Sequence, residues 1–170
     1  PKFKGIPEET KAELAKTLDQ VSAKSAAVRE GVGKSALKDG ERKVLLAKVS
    51  HADRLVSFVR SSHGDHNIYL ASEAIRRADR ALTEAEGKAG VEAADLSSLP
   101  LVSGAYCATL CHQGLGVKVP PEKVKAFGKV MPHKSHAEMM GCVKCHDIGT
   151  HKSVPLRKGV KSKCAECHQP

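Results

Sequence analysis

Three cysteine pairs, each followed directly by a histidine, constrain this 170-residue chain more than any other feature of its sequence. The second and third have the spacing Cys-x-x-Cys-His, at residues 142–146 and 164–168. The first, at residues 107–112, has one additional residue between its cysteines. Together the three motifs contain every cysteine of the chain. Gly, Pro and Lys interrupt the sequence around them, so this part of the chain is predicted to be loop-rich.

Covalent attachment of haem requires this arrangement of side chains. Two thiols reach the two vinyl groups of the macrocycle, and the histidine that follows places its imidazole at the iron as the proximal ligand. The predicted attachment and proximal residues are Cys107, Cys111, Cys142, Cys145, Cys164 and Cys167, with His112, His146 and His168.

Cysteine pairs also occur in zinc sites, disulfides and redox centres, but each of these explains less of the pattern. Zinc gives no reason for a histidine after every second cysteine. Cysteines this close in sequence are poorly spaced to bridge each other. A thioredoxin-like pair would need a βαβ context, and no such pattern surrounds the motifs. The prediction is therefore three covalently bound c-type haems.

Composition and charge agree with this prediction. Aromatic residues make up 3% of the chain, with no Trp, and three macrocycles would supply the missing aromatic volume. Residues 105–170 have 11 Lys or Arg against 4 Asp or Glu, whereas residues 1–104 have 17 against 15. Three haems would add about six propionate charges, which offset most of the formal net charge of +9. A nucleic-acid partner is therefore not predicted.

Residues 1–98 are predicted to form a helical hairpin or small bundle. Apolar residues recur at three- and four-residue steps over about 7–32, 39–61 and 65–86, with short turns between them. The first helix lacks an apolar residue at Ser25 and is expected to end at Gly31 and Gly33. The fold class is mainly α, with residues 99–170 as a triheme segment organised around its haems. No apolar run is long enough to predict a transmembrane helix.

The stretch from residue 132 to 170 resembles the small class III multihaem cytochromes c, which are triheme and tetrahaem electron carriers. The resemblance rests on the Pro-His-x-x-His element at residues 132–136 and on the closing motif at residues 163–168. In that family the two histidines of the element ligate different haems. The resemblance implies that His133 is the distal ligand of the haem on Cys142 and Cys145, and that His136 serves one of the other two. In this chain, one motif precedes the histidine pair.

Residues 64–69, Gly-Asp-His-Asn-Ile-Tyr, are similar to a His-Asn element of larger multihaem enzymes, the nitrite reductase and hydroxylamine oxidoreductase group. There the element opens a long helix and its histidine reaches a haem iron. The similarity implies that His66 is the distal ligand of the first haem. Rival distal ligands are His51, His63 and His151, together with Met131, Met139 and Met140, which would raise the potential.

Electron transfer is the function that these features imply. Haems held by so few residues would lie close together, and two imidazoles suit both oxidation states of iron. The expected partners are other redox proteins, such as cytochromes or membrane-bound oxidoreductases, and exposed haems would also allow contact between subunits. By resemblance, the expected location is the periplasm or the cell exterior. An open iron would instead indicate a reductase of the nitrite or hydroxylamine type, or a haem-based sensor.

Overall fold

The chain is mainly α, as the sequence predicts. A computed structural model describes residues 6–149 and 153–168. In chain order its elements are α1 (Ile6–Lys34), α2 (Asp39–Ser61), a 3₁₀ turn (Gly64–Asn67), α3 (Ile68–Ala89), α4 (Pro100–Ser103), a π-helical turn (Cys107–His112), a second 3₁₀ turn (Gln113–Leu115), β1 (Val124–Ala126), β2 (Lys129–Met131), α5 (His133–Met140), α6 (Cys142–Cys145) and a 3₁₀ helix (Val160–Glu166). Among the described helices, none is both long enough and apolar enough to cross a bilayer.

Two compact units make up the described chain. The helical unit is Pro7–Val102, which contains α2, α3 and all of α1 except its first residue. The cysteine-rich unit consists of Ile6 and the described residues from Ser103 onward, and it contains the three motifs.

Apolar side chains from the three long helices form the interior of the helical unit. They recur at the helical spacing that the sequence shows, because only one face of each helix is buried. The buried apolar residues of α1, α2 and α3 are Leu14, Leu18, Val21, Val28, Val32, Leu45, Val49, Ala52, Val56, Val59, Ala71, Ala74, Ile75, Ala78, Leu82 and Ala85.

Polar contacts between the helices explain the break in the apolar pattern of α1. Ser25 is buried, and its hydroxyl donates a hydrogen bond to Asp53 of α2. The neighbouring Lys24 is also buried, and its ammonium lies 2.9 Å from both Asp79 and Thr83 of α3. The interruption at Ser25 is therefore a partly buried polar contact between α1 and α2.

The end of α1 differs from the sequence prediction. The helix continues through Gly31 and Gly33 to Lys34. A Cβ atom on Gly31 would collide with the side chain of Val91, which follows α3. Gly31 is therefore required for close packing of this segment against α1, and it does not end the helix.

The cysteine-rich unit contains more regular structure than its sequence indicates. Strands β1 and β2 form an antiparallel hairpin in which Lys125 pairs with Val130. Helix α5 begins two residues after β2, and α6 follows it after a single residue, Gly141. These elements are too short to show a periodic apolar pattern, and Gly, Pro and Lys interrupt the sequence around them, so the sequence does not predict them.

Candidate functional site

All three cysteine motifs lie on tight helical turns. The second forms α6, with His146 directly after it in an extended conformation. The third lies at the end of the 3₁₀ helix, and its cysteines are exposed, whereas the cysteines of the other two motifs are half-buried. None of the six cysteines, all of which lie in the described part of the chain, forms a disulfide. A helical turn brings two side chains of each motif to the same side, as attachment to one macrocycle requires.

The extra residue of the first motif is accommodated by its backbone. Residues 107–112 form a π-helical turn, in which the amide of Gln113 bonds to the carbonyl of Ala108. A π turn contains one more residue per hydrogen-bonded ring than an α turn. Cys107 and Cys111 are therefore about one turn apart, as are the cysteines of α6 despite their shorter spacing. The sequence alone does not predict this compensation.

The chain leading into the first motif packs against the second motif. A Cβ atom on Gly104 would lie 2.5 Å from a methyl carbon of Val143, and one on Gly141 would lie 2.9 Å from Cβ of Ser103. Both glycines have positive φ angles, of 81° and 70°. Glycine at these two positions allows the two backbones to approach closely.

Backbone hydrogen bonds connect the second motif to the chain that precedes the third. The amide of Asp147 donates to the carbonyl of Pro155, and the amide of Arg157 donates to that of Cys145, both at 2.9 Å. Helix α6 also contacts the 3₁₀ helix of the third motif. The second motif therefore lies between the other two within the unit.

Electrostatic interactions between the thiols also indicate that the second motif lies between the first and the third. Burial raises the pKa of Cys142, and the nearby Cys107 raises it further. Burial likewise raises the pKa of Cys145, with a smaller contribution from Cys164. Each thiol of the second motif therefore lies within electrostatic range of a different neighbouring motif.

Two histidine pairs form between α5 and the motifs. The ring of His133 lies 5.9 Å from that of His146, measured between centroids, with the ring planes at 82°. The ring of His136 lies 5.9 Å from that of His168, at 33°. In each pair, one histidine directly follows a cysteine pair and the other belongs to the first turns of α5. His133 and His146 are the pair that the resemblance assigns to one haem, and His136, which it assigns to one of the other two haems, lies beside His168 of the third motif.

Hydrogen bonds at the Nδ1 atoms define the tautomers of three of these rings. Nδ1 of His136 lies 2.8 Å from the carbonyl of Pro132, and Nδ1 of His146 lies 2.9 Å from that of Val154. Nδ1 of His133 lies 3.3 Å from the carbonyl of Pro121. Because a carbonyl only accepts, Nδ1 is the donor in each contact, and in the neutral form of such a ring Nε2 has the lone pair that a metal would bind. The sequence did not identify these acceptors, since they are backbone atoms and no side chain marks them.

The remaining candidate ligands lie elsewhere. His66 lies in the 3₁₀ turn before α3, with its ring centroid 6.3 Å from that of His63. Asn67 caps α3 by accepting a hydrogen bond from the amide of Leu70, so the element does open a long helix. His51 is exposed on α2, and Met139 is exposed on α5. Met131 and Met140 are half-buried, and His151 lies outside the described residues.

Comparison with known proteins finds no matching family model, no similar curated protein and no similar solved structure.

Proposed function

We propose that this chain is a triheme c-type cytochrome that transfers electrons between redox proteins outside the cytoplasm. The main support is the pairing of His133 with His146 and of His136 with His168, each at a centroid separation of 5.9 Å. Each pair combines a histidine that ends a cysteine motif with a histidine from α5. Each pair could therefore provide the two protein ligands of a haem iron.

The separation of the rings fits one metal ion between them. A metal–imidazole bond is about 2 Å long and the ring centroid lies about 1 Å beyond the nitrogen, so imidazoles on opposite sides of one metal have centroids about 6 Å apart. Because Nδ1 donates a hydrogen bond in three of the four rings, Nε2 is the nitrogen available to bind a metal in those rings. Such second hydrogen bonds orient metal-bound histidines and fix their tautomers.

The same features favour haem over zinc. Structural zinc requires four protein ligands, and the described residues contain no group of three or more His, Cys, Asp or Glu that could hold a metal ion. Haem needs only two protein ligands per iron, and its thioether bonds leave the sulfur atoms uncharged.

The arrangement of the motifs favours transfer between haems. His133 and His136 lie three residues apart on α5, yet their ring partners belong to different motifs. Helix α5 would therefore hold the second and third haems next to each other. The first motif approaches the second through Gly104 and Val143. A bound haem would supply reversible one-electron chemistry at each iron, and the chain would keep the three centres adjacent.

The distal ligand of the first haem is proposed by similarity alone. His66 is the proposed ligand, and its rivals are His51, His63 and His151. Substituting each of the four by alanine, one at a time, identifies the ligand, because only loss of the true ligand converts the first haem to a high-spin, ligand-accessible form. A set of four variants that all keep the parent spectrum would exclude all four histidines.

The visible spectrum of the dithionite-reduced protein, before and after addition of carbon monoxide, tests the proposal. Three irons with two histidines each should show a low-spin spectrum that the gas does not alter. A shift in about a third of the absorbance would indicate one open iron, and with it the alternative functions of a small-molecule reductase or a haem-based sensor. A protein without any haem spectrum would contradict the proposal.

Substitution of His133 tests the assignment of the distal ligands. His133→Ala should make about a third of the absorbance sensitive to carbon monoxide, because one of three irons loses an imidazole. Ser135→Ala, two residues along α5, is the matched control and should leave the spectrum unchanged. Equal spectra for both variants would contradict the pairing of His133 with His146.

A further inference from the structure

The hairpin of β1 and β2 presents an aromatic side chain at its tip. Phe127 and Gly128 form the turn between the strands, and Phe127 is 48% exposed. The φ angle of Phe127 is +54°, in the left-handed region that bulky residues rarely adopt. Asparagine or glycine would fit this position with less strain. The turn therefore places a large apolar side chain in solvent at a conformational cost, a combination typical of functional surfaces.

Lysines surround this aromatic tip. Lys123, Lys125 and Lys129 are all exposed. Lys125 lies directly across from Val130, which is 63% exposed, so both side chains occupy the same face of the hairpin. Lys129 lies across from Ala126, on the other face. The tip formed by residues 123–130, here called the hairpin surface, therefore has lysines on both faces together with two exposed apolar side chains, and it contains no acidic residue.

The base of the hairpin is fixed to α5. The amide of Lys134 donates to the carbonyl of Glu122 at 3.3 Å, and the two side chains form an ion pair at 3.4 Å. Nδ1 of His133 contacts the carbonyl of Pro121 on the same side. These contacts join the chain on both sides of the hairpin, so the hairpin surface is presented by a fixed support.

We propose that the hairpin surface binds peripherally to an anionic lipid bilayer. Phe127 would enter the interface between headgroups and acyl chains, and the lysines would lie among anionic headgroups. Stable peripheral attachment requires both an apolar insertion and a cluster of basic residues. The hairpin surface supplies both within eight residues. This interaction goes beyond electron transfer and does not depend on it.

Residue type favours a bilayer over an acidic protein partner. All three basic residues of the hairpin surface are lysines. Arginine, with its planar fork of donors, is enriched at protein interfaces, whereas lysine is depleted there. A hydrated ammonium on a flexible stem suits a diffuse anionic surface without fixed acceptors.

Vesicle co-sedimentation of the purified haem-containing protein tests the proposal. The probes are phosphatidylcholine vesicles with and without phosphatidylglycerol, at low and high salt. Binding should require phosphatidylglycerol and should weaken at high salt. Lys125→Gln with Lys129→Gln should weaken binding about tenfold or more. Phe127→Asn should weaken it about threefold or more, while its haem spectrum stays unchanged because asparagine tolerates the left-handed conformation.

Matched controls locate the effect on the hairpin surface. Lys11→Gln with Lys43→Gln removes the same charge from exposed positions of the helical unit, and Phe58→Gln removes an aromatic side chain that is 61% exposed. Both controls should bind vesicles nearly as the parent does. Absence of binding to anionic vesicles would overturn the proposal, as would equal losses in the controls. Binding to polyglutamate without binding to vesicles would also overturn it and would indicate an acidic protein partner.

Discussion

The helical unit and the cysteine-rich unit are both built mainly from helical turns, but they bury very different amounts of side chain. Three long helices of the helical unit bury an apolar stripe each, from Leu14 to Ala85. Among the described side chains of the cysteine-rich unit, only Ser103, Tyr106 and Val160 are buried. A chain segment of this size with so small a core is not expected to be stable without staples or a cofactor.

This difference indicates two sources of stability. The helical unit is stabilised by removal of its own apolar surface from water. In the cysteine-rich unit, the residues that come together are the cysteines, the histidines and the glycines that allow close approach of the backbone. Three covalently attached macrocycles would supply the missing apolar volume, so the fold of this unit should depend on haem. The two sources of stability can therefore be removed separately.

Production of the chain without haem attachment should unfold one unit and spare the other. Amides of α6 and of the 3₁₀ helix at Val160–Glu166 should then exchange with solvent at nearly unprotected rates. Amides of α3 around Ile75 should stay protected, because their burial does not involve haem. Hydrogen exchange monitored by mass spectrometry measures both, with the haem-loaded protein as the control. Persistent protection of α6 in the haem-free chain would contradict the contrast.

A cavity in the core of the helical unit should destabilise that unit and leave the haem spectrum unchanged. Ile75 is fully buried, and Ile75→Ala should lower the free energy of unfolding of this unit by about 2–5 kcal/mol. Leu70 on the same helix is 57% exposed, so Leu70→Ala is the matched control and should change little. Urea denaturation followed by circular dichroism measures the effect. The haem spectrum in the absence of urea should be identical in both variants, because neither substitution changes a proposed haem ligand. An unfolding midpoint of the Ile75 variant equal to that of the Leu70 variant would contradict the role of this core.

Removal of the buried ammonium of Lys24 should have a smaller effect. Lys24→Met keeps most of the side-chain volume but leaves Asp79 and Glu86 without their cation. Both carboxylates are partly exposed and can regain water, so the expected loss is about 1–3 kcal/mol. Lys16→Met removes a lysine whose side chain is 61% exposed and serves as the control. Equal unfolding midpoints for the two variants would show that the buried contact adds no net stability.

Much of the helical unit can be predicted from the sequence, because each helix has one continuous apolar face. The bounds of α2 agree with the predicted 39–61. The predicted end of α1 was wrong because the role of Gly31 depends on its contact with Val91, which is distant in sequence. Likewise, the sequence shows Ser25 only as an interruption of the apolar pattern, because its hydrogen-bond acceptor, Asp53, belongs to another helix.

For the candidate site, the sequence predicts the identity of the residues. It does not predict the backbone contacts that position their side chains. The motifs identify the cysteines and proximal histidines, and the resemblance pairs His133 with the motif that ends at His146. The acceptors of the Nδ1 protons cannot be predicted, since they are carbonyls of Pro121, Pro132 and Val154. The π turn of the first motif and the strained Phe127 also depend on backbone conformation, for which the sequence has no clear signal. The haem-binding roles themselves stay predictions.

The smallest expected effect concerns a surface carboxylate. Hydrogen bonds from Lys48 and Lys88 hold the pKa of Glu84 below its usual value of 4.5. A lowered carboxyl pKa stabilises the folded state above the unfolded pKa, and this contribution is lost as the pH falls through the folded pKa. Glu84→Gln should therefore lower the urea midpoint slightly at neutral pH and low salt, and the difference should disappear in acid. The exposed Glu92→Gln is the control, and a difference that persists in acid would assign the effect to packing.

Mass spectrometry under denaturing conditions tests the central claim most directly. The chain would be produced in cells that attach haem to exported proteins, purified, and unfolded before measurement so that only covalent groups remain. The account predicts that the chain retains the mass of three haems, one on each of the motifs at residues 107–112, 142–146 and 164–168, as peptide mapping would show. An unmodified chain, or a metal ion released by denaturation, would contradict it.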